Sequence, residues 1–253
     1  MEKNGKEGVI DEDGNEILPL NDLKVYRIGE KGQLAVQGNN KWGLLDVDCK
    51  TLYPITLDSI SYFYWPTDNY YVYKVKVGGK EGLLDSTGRL VFPIVFDEIK
   101  NTSDYILVKQ NDLYGLYQRE KQILPIEYDE IKHEITPANS KYDGLLLVSK
   151  KHSWGVIDSL GIIVVPIKYD IIEYNSGGRG DEGFVIKKDG KWGYISSDGN
   201  TIPLLYDSIT IHEWHLKSLI VQQGERYGLI STKGEQLLPI EYLSISIEPI
   251  RGS

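Results

Sequence analysis

The sequence predicts an all-β protein built from tandem antiparallel meanders. Three observations carry this. The 253 residues include 18 tyrosines, five tryptophans and 26 glycines against a single methionine, and aromatic side chains suit a pleated surface while glycines punctuate turns. No window repeats its apolar residues at three-to-four spacing over three turns, so no amphipathic helix is expected. A short pattern centred on glycine recurs along the whole length.

The pattern opens on an aromatic residue followed by glycine: Trp42-Gly43, Tyr114-Gly115, Trp154-Gly155, Trp192-Gly193 and Tyr227-Gly228. Glu7-Gly8 and Glu81-Gly82 keep the glycine and lose the ring. Successive glycines stand 35, 39, 33, 40, 38 and 35 residues apart, which defines about seven units opening near Gly8, Gly43, Gly82, Gly115, Gly155, Gly193 and Gly228 of one domain, 1–253.

An apolar run then leads to Asp or Ser and a turn closing on glycine, as in Asp85 to Gly88 and Asp158 to Gly161. A side-chain acceptor at the first turn position and a residue tolerant of positive φ near its end are what such a loop needs. Cys49 takes the place of the glycine in the second copy, and Tyr117 to Glu120 abandons the turn chemistry in the fourth. A proline follows in every copy, at 19, 54, 93, 125, 166, 203 and 239, marking a strand end, an edge or a bulge because proline has no N–H for a ladder. Three residues on, an apolar residue precedes Asp in Leu57-Asp58, Phe96-Asp97, Tyr128-Asp129, Tyr169-Asp170 and Tyr206-Asp207. The ring can pack inward while the carboxylate binds turn N–H groups. In the first copy Asp22 follows Pro19 directly at three residues, so that copy looks shortened, and the last copy has Tyr242-Leu243. Each period then closes on a strand such as 71–77, 105–109, 145–150 or 183–188, which gives about four strands per unit.

These residues resemble the bacterial WG-repeat family, whose units carry an aromatic-glycine pair, an apolar-Asp segment, a glycine turn, a proline and a Tyr-Asp pair. The likeness runs from Gly8 to Tyr242. It implies an architecture and adds little chemistry. Four strands in roughly 37 residues, repeated, fit a β-propeller-like arrangement, and an open solenoid or superhelix of hairpins is the alternative. In either, neighbouring units must stack to bury their faces, and the opening ring fills the seam between them, so that Trp154→Ala or Trp192→Ala costs on the order of 3 to 5 kcal/mol.

Composition narrows the function. A net charge of −9 disfavours nucleic acid, whose phosphates call for clustered Lys and Arg, and suits a partner protein with a basic surface. No apolar run approaches the length needed to span a bilayer. Residues 1–8 hold no signal-peptide core, so the expected location is the cytoplasm unless a leader has been removed. Cys49, as the single cysteine, forms no internal disulfide.

Catalytic and metal signatures are weak. His212-Glu213-Trp214-His215 spells H-x-x-H with no supporting third ligand, and a polar loop explains it as well. Asp11, Asp13 and Gly14 begin like a calcium loop and lack its later carboxylate. Arg179-Gly180-Asp181 spells an adhesion tripeptide within a glycine-rich loop and is read as chance. The carboxylates of Asp97, Asp129 and Asp170 could in principle cooperate in acid-base work, but their regular recurrence points to a structural turn. No cofactor and no metal is implied, and no enzyme is expected.

The best recognition candidate is the aromatic cluster of the longest variable segment: Tyr62, Tyr64, Trp65, Tyr70 and Tyr71, beside Phe63 and Tyr73. Aromatics on a rigid repeat scaffold anchor interfaces or stack on sugars. The same alternation is also what a strand packed on the next unit would show. His212, Trp214 and His215 form a second candidate. The expected function is a non-catalytic scaffold that binds another protein, for instance an immunity or inhibitor module, with carbohydrate or cell-envelope binding as the alternative.

Overall fold

The computed structural model describes residues 1–29, 32–65, 70–102, 104–132, 144–175, 182–196, 199–211 and 218–246. Among these there is no helix, and all sheets are antiparallel meanders: six of four strands and one of three. Sheet 1 holds Glu2–Lys3, Lys6–Ile10 and Glu16–Asn21. Sheet 2 holds Lys24–Arg27, Leu34–Gly38, Lys41–Leu45 and Thr51–Leu57, and sheet 3 holds Ser59–Trp65, Tyr70–Val77, Lys80–Leu84 and Leu90–Phe96. Sheets 4 to 7 repeat this order and open at Glu98, Glu130, Ile171 and Ser208.

In a four-stranded sheet we name the strands lead, second, glycine and proline. The aromatic-glycine pair falls in the third strand and the proline in the fourth, which is an edge and therefore tolerates the missing N–H. Each sheet thus runs from one Tyr-Asp pair to the next and straddles two copies of the sequence pattern that begins at glycine.

The pairing of the last two strands explains the glycine. Trp42 pairs with Leu57 and Leu44 with Tyr53, so Pro54, Ile55 and Thr56 all face Gly43 across a bulge. Sheet 5 repeats it, with Trp154 opposite Tyr169 and Val156 opposite Val165. A Cβ on Gly155 would lie 2.5 Å from Ile167 Cγ1 and 2.7 Å from its Cα, so only glycine fits beneath the isoleucine that follows the proline. Sheet 1 is shorter by one residue here, since Glu7 pairs with Asn21 and Val9 with Leu18, which places Asp22 early. Its role survives in weaker form as an ion pair to Lys6 at 3.5 Å.

The residues divide into two compact units, Met1–Glu127 and Tyr128–Ser253. Within the first, apolar clusters lie between consecutive sheets: Val36 and Leu45 with Val9 and Leu18, then Leu44, Leu57 and Leu84 with Ile60, then Phe63, Phe92 and Val108 with Ile126. Within the second, Val156, Val165 and Phe184 form one such layer, and Tyr194, Leu219 and Val221 another. Sheet 6 lies between two apolar layers of its own unit, which is why its second strand reads as the continuous apolar run Phe184-Val185-Ile186 instead of alternating.

Candidate functional site

The aspartates that open sheets 3 to 7 are the groups a catalytic reading would use, and they are consumed by the frame. Each donates its N–H to a carbonyl of the second strand, from Asp58 to Lys76, Asp97 to Lys109, Asp129 to Ser149, Asp170 to Lys187 and Asp207 to Gln222. The carboxylate then accepts an N–H from the hairpin turn of the same sheet: Gly78 at 2.6 Å, Asn111 at 2.7 Å, His152 at 2.8 Å, Asp189 at 2.8 Å and Gly224 at 2.7 Å. A lysine at the start of the preceding sheet's glycine strand adds an ion pair, Lys41 to Asp58, Lys80 to Asp97 and Lys191 to Asp207. These lysines, and after them the turn N–H groups, hold the carboxyls of Asp58, Asp97 and Asp207 below the usual range. The lowering reports a structural staple.

The seam ring is half-buried. Trp42 stacks on Tyr26 at 5.2 Å, Lys132 sits 4.6 Å over Trp154, and Lys187 sits 4.9 Å over Trp192. Where the ring is missing, a carboxylate crosses to the next sheet instead. Glu7 accepts the N–H of Val25 at 2.8 Å, and Glu81 that of Ile99 at 2.8 Å. Each glutamate thus satisfies a lead-strand donor that would otherwise face a seam.

Recognition candidates concentrate on the hairpin Ser59–Trp65/Tyr70–Val77, which has the longest second strand. Tyr62 pairs with Tyr73 and Tyr64 with Tyr71, so these four rings share one face, while Phe63, Trp65 and Val72 take the other. Tyr73 is buried in the layer against sheet 2, and beyond it the hairpin carries Tyr62, Tyr64 and Tyr71 into solvent at 48%, 42% and 38% exposure. Tyr71 touches both neighbours, 5.7 Å from Tyr62 and 5.5 Å from Tyr64. The patch is fixed at its base and side, since Gly29 donates its N–H to the Tyr62 hydroxyl and the Asn101 amide donates to the Tyr64 carbonyl.

Trp65 departs from the surface role expected of it. It is 4% exposed and packs in the layer with Phe92 and Phe96, because odd positions of this strand face sheet 4. Tyr70 is placed in its strand opposite Trp65. His212, Trp214 and His215 lie outside the described residues, as do His133 and the Arg179-Gly180-Asp181 tripeptide. Asp11 caps its own turn, accepting the Asn15 N–H at 2.7 Å and the Asn15 amide at 2.8 Å.

Sequence reasoning missed Arg89. Its guanidinium spans from Asp85 in sheet 3's glycine turn, Nε to Oδ2 at 2.9 Å, to Glu120 in sheet 4, Nη2 to Oε1 at 2.9 Å and Nη1 to Oε2 at 3.3 Å. The available signal was the fourth turn itself, where Arg119-Glu120 replaces the usual Asp-to-Gly chemistry and Arg119 takes φ +54°.

Among the described residues no group of three or more His, Cys, Asp or Glu side chains is placed to hold a metal ion, and no helix is long and apolar enough to cross a membrane.

Comparison with known families matches the WG containing repeat at residues 82–114 and 154–192, each stretch running from one glycine strand to the next. No curated protein matches the chain. Among solved structures it is similar to a eukaryotic initiation factor, at 10% identity over 86% of this chain and 65% of that one, TM-score 0.32. Kluyveromyces lactis Hsv2 matches at 12% identity over 79% and 70%, TM-score 0.28, and the WD40 domain of SCAP from fission yeast at 12% over 74% and 57%, TM-score 0.28. The chain thus spans under two thirds of the initiation factor it matches. The WG containing repeat is thus matched at two stretches, and the residues that carry it recur at the equivalent strands of the other sheets.

Proposed function

We propose that the chain is a non-catalytic repeat scaffold that binds another protein through the tyrosine face of the Ser59–Trp65/Tyr70–Val77 hairpin. One observation carries the reading: Tyr62, Tyr64 and Tyr71 are held side by side in solvent on a paired hairpin. Tyrosine offers a large amphipathic contact at small entropic cost, and exposed tyrosines on a rigid frame are typical interface anchors. Interplanar angles of 72° and 60° give an edge-on cluster and no flat platform for a sugar ring, which favours a protein over a glycan. The five opening aspartates supply no free acid-base pair, since each carboxylate is already committed to its turn. The net charge of −9 favours a partner with a basic surface, and a cytoplasmic inhibitor or immunity module is one form such a scaffold takes.

The test is affinity capture from a lysate of the protein's own organism, read by mass spectrometry beside Tyr62→Ala/Tyr64→Ala/Tyr71→Ala. A single stoichiometric protein captured by the parent and lost by the variant is expected. Recovery of the same protein by both would remove this face from the interface, and glycan-array binding without any captured protein would replace the reading by the carbohydrate one. Because Tyr62→Ala also removes the acceptor of the Gly29 N–H, the variant's circular dichroism and Tm are compared with the parent's before capture.

A further inference from the structure

Behind the tyrosine face, on the other side of the same hairpin, lies a cavity of about 250 Å³. It is lined by the buried Trp65, Val72 and Asp85 and by Val91. Its mouth is crossed by the Arg89–Glu120 pair, and Arg119 stands beside it. Pockets that enclose a whole drug-sized ligand begin at roughly 300 Å³, so this one takes a single hydrocarbon group of side-chain size.

The charges at the mouth are unequal in their commitments. Asp85 is buried and saturated: it accepts from the Thr87 N–H at 2.9 Å, the Thr87 hydroxyl at 2.6 Å, the Arg89 N–H at 3.0 Å and Arg89 Nε at 2.9 Å. It fixes the stem of Arg89 and leaves the outer fork, Nη1 and Nη2, directed at Glu120. That outer pair is solvent-exposed, with side chains 58% and 52% accessible, and an exposed ion pair is weak and exchangeable. Glu120 therefore shows where a carboxylate docks on this fork and in what bidentate geometry, without closing the site to another.

We propose that this cavity binds an apolar monocarboxylate, whose hydrocarbon group enters the space lined by Val91, Trp65 and Val72 while its carboxylate displaces Glu120 from the Arg89 fork. Both a free aryl or alkyl acid and the C-terminal residue of a peptide carry this chemistry. The site does not depend on the tyrosine face, which lies on the opposite side of the hairpin.

The test follows the Trp65 indole N–H resonance, assigned by its loss in Trp65→Phe, during titration of the full chain. The probes are 3-phenylpropionate, its amide, and a tripeptide ending in phenylalanine with a free or amidated C-terminus. Saturable shifts are expected with the acids, and affinity about tenfold weaker for the matching amides. Glu120→Gln removes the competing carboxylate and should tighten acid binding several-fold, an effect that loss of a merely structural ion pair would not produce. A free acid binding as well as the peptide assigns a small-molecule site, and a clear preference for the peptide acid assigns a partner's C-terminus. Equal binding of acids and amides, no saturable shift with a well-dispersed spectrum, or weaker acid binding in Glu120→Gln would overturn the proposal.

Discussion

Cys49 has φ +60° where the matching turn position in five other copies is glycine at +82° to +86°. A β-carbon is costly in this region, so Cys49→Gly should stabilise the protein by about 1 kcal/mol, read as a rise in Tm. Its thiol is also pushed up by burial first and then by Asp46 and Asp48, which makes it a poor nucleophile. The glycine that follows the seam ring answers to a different constraint. Gly155 is glycine because Ile167 occupies the space a Cβ needs, so Gly155→Ala should destabilise by about 1 to 3 kcal/mol, the range for an overpacked interior. Equal stability of this variant and the parent in denaturant titration would show that the bulge opens freely. At this scale the sequence was legible wherever backbone chemistry is specific: turn glycines, edge prolines and the Tyr-Asp pair. It was silent on Arg89 and Glu120, since a guanidinium bridging two turns leaves no spacing rule behind.

At the scale of the strand and sheet, the seam ring and the opening aspartate do separable work. Trp154 is half-buried and covered by Lys132, so Trp154→Ala should cost about 2 kcal/mol, below the 3 to 5 of a full core aromatic. Asp58, Asp97 and Asp207 have folded-state pKa values below the ordinary 3.8. A carboxyl lowered by folding stabilises the folded state above its unfolded pKa and loses that contribution as pH falls through its folded pKa. Tm should therefore drop steeply below pH 3.8, and Asp58→Asn/Asp97→Asn/Asp207→Asn should start lower at neutral pH and flatten that drop. An unchanged acid limb in the variant would mean the staples contribute nothing.

Four strands per period were readable from turn spacing, and the strand expected at 183–188 is observed as Gly183–Lys188. Where one sheet ends was not readable, because the glycine motif dominates the sequence while the sheet breaks at the less conspicuous aspartate. Alternation along Tyr62-Phe63-Tyr64-Trp65 was visible too, yet which pair faces outward depends on the sheets on either side. Trp65 therefore falls on the side packed against the next sheet, the alternative that the alternation left open, while Tyr62 and Tyr64 face outward.

For the whole molecule, the central claim is that recurrent carboxylates build the frame and leave recognition to side chains that do not recur. Tyr62, Tyr64, Tyr71, Arg89 and Glu120 all belong to that second class, and the repeat pattern is blind to them. The most direct test is amide hydrogen exchange of five turn residues that sit in separate sheets: Gly78, Asn111, His152, Asp189 and Gly224. All five N–H groups should exchange slowly despite their turn positions, and replacing a sheet's opening aspartate by alanine should release that sheet's turn alone. Fast exchange of these amides in the parent protein would contradict the account, because the aspartates would then be free for chemistry.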